Sequence, residues 1–298
     1  MPLDRRHFLR AGLAVAASAC LAPKAFVAAE PVRASADPAP PSTLRIALLH
    51  LAPVPGDVPH NRRLIETAVA AAAELGAQWI VTPELCVTGY TFADRLGVTW
   101  ILPQPDEWMT QMGRLVARLG VTLFLSHPER DRESGNLHNS LFVLAPDGAI
   151  AGTHRKINSL RVGSEGWSSP GTQPAVVSAA PVGRVGLLIC ADAYSPEICL
   201  ALKARGARLL ISSAAWAPGL HGPSGEWERC TRDTGLPLIV CNRTGPDRTL
   251  DFTEAESVVV KDGRRVLSLS STRSAIFVLD WDVQAETVAT PEYRTVAL

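Results

Sequence analysis

Short apolar runs alternate with helical stretches and Gly-containing turns from Leu44 to Asp280, and this rhythm narrows the fold more than any other feature of the chain. Leu44 to His50 is an apolar run bounded by prolines, which predicts a buried strand. Asn61 to Leu75 is rich in Ala with apolar residues at helical spacing, and Gly76 can stop it. A strand over Gln78 to Thr82, a helix from Asp106 to Leu119 ended by Gly120, and a strand over Val121 to Ser126 follow. Pro146-Asp147-Gly148 separates apolar runs over Ser140 to Ala145 and Ala149 to Thr153, which predicts a hairpin. Next come a strand pair over Val176 to Val182 and Val185 to Ile189, and a helix over Pro196 to Arg205 with Pro in its first turn. A strand over Leu209 to Ser213, a helix over Gly225 to Thr234 and a strand over Leu236 to Asn242 continue the alternation. Lys261-Asp262-Gly263 marks a further hairpin between Glu256 to Val260 and Arg265 to Ser270, and Ala275 to Asp280 is the last strand. Strand–helix units at both ends with hairpins between them predict an α/β layered domain, and periodicity supports no more than that.

Three residues of distinct chemistry stand in this frame. Glu84 follows Thr82-Pro83 at the end of an apolar strand, with Gly89-Tyr90 turning the chain away. Lys156 lies just past the first hairpin in His154-Arg155-Lys156-Ile157-Asn158. Cys190 ends the run Gly186-Leu187-Leu188-Ile189 and precedes Ala191-Asp192 and a Pro-started helix. Such a strand-to-helix elbow exposes a thiol and points backbone N–H groups at it, which can lower its pKa and bind an oxyanion. A partly desolvated carboxylate has a raised pKa and suits proton shuttling near neutrality. An ammonium close by favours the thiolate and can hold a developing oxyanion. A thiol nucleophile, a carboxylate base and an ammonium suffice for acyl transfer.

The order, spacing and flanks of these three signatures resemble the nitrilase (carbon–nitrogen hydrolase) superfamily over roughly Leu44 to Asp282, nearly the whole mature chain. The resemblance implies one domain, a four-layer αββα sandwich of two face-to-face sheets with helices outside. It implies Cys190 as nucleophile, Glu84 as general base and Lys156 as oxyanion-stabilising cation, with the Ala191 N–H sharing that task. Glu165 resembles a second glutamate that amidase branches use to orient the substrate or water. Trp216 sits where family members line the pocket mouth, and Tyr90, Tyr194 and His221 are further pocket candidates. Asp192, Pro196 and Glu197 match a run that fixes the elbow, and Arg155 is read as structural. His138-Asn139-Ser140 and Asn242-Arg243-Thr244-Gly245 match recurrent structural stretches, the latter shaping a strand end beside the site. The implied reaction needs neither a metal nor an organic cofactor, and the chain carries no His-Glu-x-x-His, Walker or dinucleotide fingerprint.

True nitrilases usually carry Trp-Glu directly after the cysteine, where this chain has Ala191-Asp192. That departure favours hydrolysis of a small amide through a thioester, with nitrilase or N-carbamoyl hydrolase activity as the alternative. The carbamoylase branch usually has bulkier or charged residues at this point. A catalytically silent binding protein is a further reading, and the intact Glu–Lys–Cys set argues against it. A thiol redox protein is disfavoured because Cys-x-x-Cys is missing. Few aromatics lie near the site, which points to a small or moderate pocket.

The first 29 residues are expected to be an export signal. Arg5-Arg6 precedes Phe8-Leu9, an apolar run spans Ala11 to Ala22, and Val27-Ala28-Ala29 is a small-residue cleavage pattern. The paired arginines resemble a twin-arginine signal, which implies a periplasmic destination. The apolar run falls short of the ~20 residues a membrane-spanning helix needs, so no stable membrane insertion is expected once the signal is removed. A second Ala34-Ser35-Ala36 offers another cut site, and Ala17 stands where a lipoprotein signal usually has Leu, which disfavours lipidation at Cys20. Glu30 to Ser42, rich in Pro and Ala, reads as a linker, with the hydrolase domain expected over 44–298. Formal net charge is +0, so nothing suggests a nucleic-acid partner; the expected partners are a small-molecule amide and a second copy of the chain, a homodimer.

Overall fold

The computed structural model describes residues 43–159, 163–219 and 222–298. The expected export signal, the linker up to Ser42, Cys20 and the pocket candidate His221 lie outside the described residues.

β1 (Thr43–His50) leads into α1 (Val58–Glu74) and β2 (Trp79–Val81). Asp57 caps α1 by accepting from the His60 N–H at 3.1 Å. This cap starts the helix three residues before the expected Asn61, because Pro59 is compatible with a first turn. A short helix, α2 (Ala93–Leu96), follows, then α3 (Glu107–Leu119), capped by Asp106 through the Met109 N–H and closed by left-handed Gly120, as expected. β3 (Thr122–Arg130), β4 (Leu137–Leu144) and β5 (Ile150–Arg155) complete the first half. β3 and β4 extend well beyond the expected strand and hairpin bounds, with Pro128 paired to Asn139. β2 pairs with β3 only as far as Phe124, so the extension has a partner on one side, where a proline's missing N–H is tolerated.

β6 (Val176–Ala179) and β7 (Gly183–Ile189) form the next pair, and β6 stops short of the expected Val182 because Ala180-Pro181-Val182 makes the turn. α4 (Pro196–Ala204), β8 (Leu209–Ala214), α5 (Glu226–Thr234) and β9 (Leu238–Asn242) follow. β10 (Ser257–Lys261) and β11 (Arg264–Leu269) form the second expected hairpin. β12 (Ala275–Asp282) closes the core. Two short strands absent from the expectation, β13 (Thr287–Val288) and β14 (Arg294–Ala297), pair along β12.

The strands form two sheets: β13-β12-β1-β2-β3-β4-β5 with β14 also on β12, and β11-β10-β9-β8-β7-β6. Each has a parallel centre, β1-β2-β3 in one and β7-β8-β9 in the other, flanked by antiparallel strands. Alternation along β1 shows the layering. Leu44, Ile46 and Leu48 belong to a core shared with Val185, Leu187 and Ile211 of the second sheet, whereas Ala47 and Leu49 pack with Ile65, Val69, Met109 and Val116 of α1 and α3. Ile198, Leu202, Trp227 and Cys230 of α4 and α5 cover the second sheet. The result is the expected αββα sandwich, and burial on both faces explains why β1, β7 and β8 read as continuous apolar runs. Trp79 fixes the two sheets to each other: its indole N–H donates to the Ala180 carbonyl at 2.8 Å while the ring packs on Phe124.

Candidate active site

The parallel strands β2, β7 and β8 all end on the same side, the place where α/β sheets present ligand-binding loops. Glu84 lies just past β2, and its N–H donates to the Ala214 carbonyl at the end of β8 (3.2 Å), so this loop joins the two sheets. The turn behind it needs Gly89. Its φ is +73°, and a Cβ there would lie 2.7 Å from the Pro55 Cα. Lys156 is one residue beyond β5; its N–H still donates to Asn139 of β4 (2.8 Å), and its carbonyl accepts from Gly171 (2.7 Å). Glu165 ends a short 3-10 turn over Gly163–Glu165.

These loops bring Glu84, Lys156 and Glu165 together, each with 0% or 1% of its surface exposed. Lys156 Nζ donates to Glu84 Oε1 at 2.7 Å and to Glu165 Oε1 at 2.5 Å. Asn139 Nδ2 donates to the same two oxygens, at 2.7 and 3.1 Å. Glu84 Oε2 accepts the Ala215 N–H at 2.9 Å, and the carbonyl of the same residue accepts from Cys190 Sγ at 3.7 Å. One residue, Ala215, therefore lies against both the carboxylate and the thiol.

Cys190 itself has φ +44°, in the left-handed region that a side chain rarely adopts. A 3-10 turn over Cys190–Tyr194 follows it before α4. Asp192 holds this elbow. One of its oxygens accepts from the Ile157 and Asn158 N–H groups (3.0 and 2.8 Å); the other accepts from the Ile189 N–H (3.0 Å) and pairs with His154 Nε2 (2.8 Å). Asn158 Nδ2 donates to the Ala191 carbonyl at 2.7 Å. The elbow bearing Cys190 is thus bound directly to the segment bearing Lys156, and Asp192 acts as the elbow-fixing residue the sequence suggested.

Burial decides the electrostatics. It pushes the Glu84 carboxyl up to about 7, with Glu165 adding to the rise and Lys156 opposing it. Burial alone would lower the Lys156 ammonium, but Glu84 and Glu165 outweigh it and hold the group well above its ordinary value. Burial, then the charge of Glu84, push the Cys190 thiol well up against the pull of Lys156. The thiol is neutral at rest, so it must lose its proton as it reacts, and a carboxylate poised near neutrality is the acceptor the cluster offers.

A cavity of about 360 Å³ opens over Cys190, lined by Tyr90, Ala191, Tyr194, Trp216 and Leu250 among others. Trp216 is buried in its wall rather than at its mouth, where the half-exposed Tyr194 stands. Asn242 fixes the wall, bonding both the N–H and the carbonyl of Trp216 at 3.0 Å. Asp247, in a buried pair with Arg243 (2.6 Å), accepts from the Tyr90 N–H and the Thr91 hydroxyl. Arg155 pairs with Glu129 and Asp131, away from the cluster. Reading the sequence missed Asn139, His154 and Asp247; of these, Asn139 and His154 lay inside quoted motifs, and Asp247 carried no signal. Among the described residues, no group of three or more His, Cys, Asp and Glu side chains is arranged to hold a metal ion.

Comparison with known proteins agrees with this architecture. The carbon-nitrogen hydrolase family model matches residues 45–289. A probable nitrilase from Schizosaccharomyces pombe is 23% identical over 80% of this chain and 89% of its own. Omega-amidase NIT2 from Danio rerio is 26% identical over 81% of this chain and 88% of its own. Among solved structures, a mutant of the amidase from Nesterenkonia sp. AN1 superposes with a TM-score of 0.68 at 26% identity, covering 82% of this chain and 92% of that one. That structure shows covalent addition of the acetamide moiety of fluoroacetamide at the active-site cysteine.

Proposed function

The chain belongs to the carbon-nitrogen hydrolase family, and on that premise we propose that it hydrolyses a small linear amide to a carboxylate and ammonia or an amine, through a thioester on Cys190. The observation that carries this reading is the buried Glu84–Lys156–Glu165 cluster, tied through the backbone of Ala215 to the thiol on the cavity floor.

In the proposed sequence, Glu84 accepts the Cys190 proton as Sγ attacks the amide carbon. Lys156 and the Ala191 N–H receive the oxyanion of the tetrahedral intermediate. The C–N bond breaks as Glu84 returns the proton to the leaving nitrogen. Water then attacks the thioester carbon, giving its proton to Glu84, and the carboxylate leaves with Cys190 restored to a thiol. Glu165 orients the substrate or that water through Lys156. The covalent adduct at the cysteine of the Nesterenkonia amidase supports the nucleophile assignment. Ala191-Asp192 in place of Trp-Glu supports amides over nitriles.

The test is ammonia release from aliphatic and aromatic amides, carbamoyl amino acids and matched nitriles, with Cys190→Ala as control. Release from amides that disappears in the variant is expected. Release from nitriles alone would overturn the amide reading and keep the nucleophile. The same proposal includes twin-arginine export to the periplasm and a homodimer. Periplasmic fractionation of an Arg5→Lys, Arg6→Lys variant and sedimentation of the purified chain check these two parts.

A further inference from the structure

We propose that the cavity over Cys190 takes an uncharged, apolar acyl group, as in a branched aliphatic or aryl carboxamide, and rejects amides whose acyl chain carries a carboxylate. The inference rests on the amide reading above and adds the substrate class to it.

The described lining holds no charged side chain. Tyr90 and Trp216 form buried walls, Ala215 lies beside the thiol, and Tyr194 and Leu250 form the rim at 38% and 37% exposure. The aromatic wall pairs Tyr194 with Trp216, ring centroids 4.8 Å apart, and the core Trp227 backs Trp216 from behind at 5.2 Å. Such a surface rewards apolar burial and offers a carboxylate nothing to replace its water.

Among the described residues, the nearby cations are already engaged. Lys156 bonds two carboxylates inside the cluster. Arg243 is ion-paired with Asp247 and lies over the Phe252 ring at 4.4 Å. Arg229 donates to the Ala193 and Tyr194 carbonyls at 3.1 and 3.0 Å, and Arg248 pairs with Asp94 outside the rim. Burial raises the Tyr194 hydroxyl above its ordinary value, and the acidic Glu226 and Cys190 add to the rise, so the charge that reaches the rim is negative. A volume of about 360 Å³ falls at the low end of ligand pockets, in keeping with an acyl group of moderate size.

Two isosteric pairs test the proposal on the full chain: isohexanamide against succinamate, and 4-isopropylbenzamide against terephthalamate, compared by kcat/KM for ammonia release. The neutral member is expected to win by about 100-fold or more, because the charged one enters unpaired. From acetamide to butyramide, kcat/KM is expected to rise about fourfold per methylene. Leu250→Arg, which puts a cation at the exposed rim, is expected to narrow both ratios. Carboxylate-bearing members within tenfold of their neutral mates would overturn the proposal. Were no amide turned over, the amide reading would fall, and the pocket would be judged by tryptophan fluorescence titration of Cys190→Ala. Tighter binding of the neutral mates then upholds it, while equal binding, or none by either, sinks it.

Discussion

The Lys156 ammonium and the Glu84 carboxylate meet at 2.7 Å with neither side chain exposed to solvent. A buried ion pair is tolerable while both members are present, and removing one leaves an uncompensated charge worth about 3–5 kcal/mol. In Lys156→Met two buried carboxylates, Glu84 and Glu165, face each other without their shared cation. They can relieve this by taking up protons, so the loss of stability is expected to be larger at pH 8 than at pH 5. Thermal melts at the two pH values check this, and an equal loss at both would contradict the burial argument.

In the proposed reaction Glu84 must be ionised to accept the Cys190 proton, and burial sets its carboxyl near 7. The kcat/KM profile is therefore expected to fall on the acid side of about pH 7. Glu84→Gln is expected to lower kcat/KM roughly a thousandfold. The same shift has a stability counterpart. Between the ordinary 4.5 and about 7 the native state binds more protons than the unfolded chain, so this group's contribution declines as pH rises through that window.

Asn139 donates from one nitrogen to both Glu84 and Glu165, and its bond to Glu84 favours the ionised form of that carboxyl. Hydrogen bonds to charged groups are worth about 1.5–3 kcal/mol. Asn139→Ala is expected to move the acid limb of kcat/KM up by about one pH unit. A variant that loses rate with an unmoved limb would show that Asn139 acts only on packing.

Asp192 holds the nucleophile elbow. Burial would raise its carboxyl, but His154 and the Asn158 and Ile189 N–H groups outweigh burial and hold it below the usual 3.8. Its stabilising effect is present above that pH and is lost as the pH falls through the lowered value. Asp192→Asn, which sets an amide against backbone donors, is expected to cost about 3–5 kcal/mol at pH 7 and to flatten the drop in Tm below pH 4. Thermal denaturation from pH 3 to 7 checks both.

Gly89 and Gly97 both have positive φ, at +73° and +68°, yet only Gly89 has backbone within reach of an added Cβ. Gly97→Ala bears only the backbone penalty of a glycine-favouring conformation, φ +68° with ψ −167°, about 1–3 kcal/mol. Gly89→Ala adds the clash with Pro55 and displaces Tyr90. It is expected to lower Tm more than Gly97→Ala and to raise KM several-fold. Equal effects of the two substitutions on Tm and KM would remove the packing argument.

Reading the chain located the helices whose caps are local, such as Asp106 and Gly120 around α3, to within a residue or two. It placed α1 late and missed the β3–β4 extension, because Pro59 and Pro128 look like breakers until the first-turn geometry and the unpaired strand side are known. It also missed β13 and β14, whose short, exposed segments gain order only by pairing along β12.

Motif resemblance to the carbon–nitrogen hydrolase superfamily, on flanks at strand ends and turns, singled out Glu84, Lys156, Glu165 and Cys190. Which of them touch was decided by tertiary structure alone. Asn139 became a shared donor, Ala215 a bridge between the Glu84 carboxylate and the thiol, and Asp192 the tie between two sheets' loops, through contacts spanning up to 131 residues of chain. The physical reason is burial. A motif states which groups are present, but the shift of Glu84 towards neutrality and the charge retained on Lys156 arise only when water is excluded and the partners are brought to hydrogen-bonding distance.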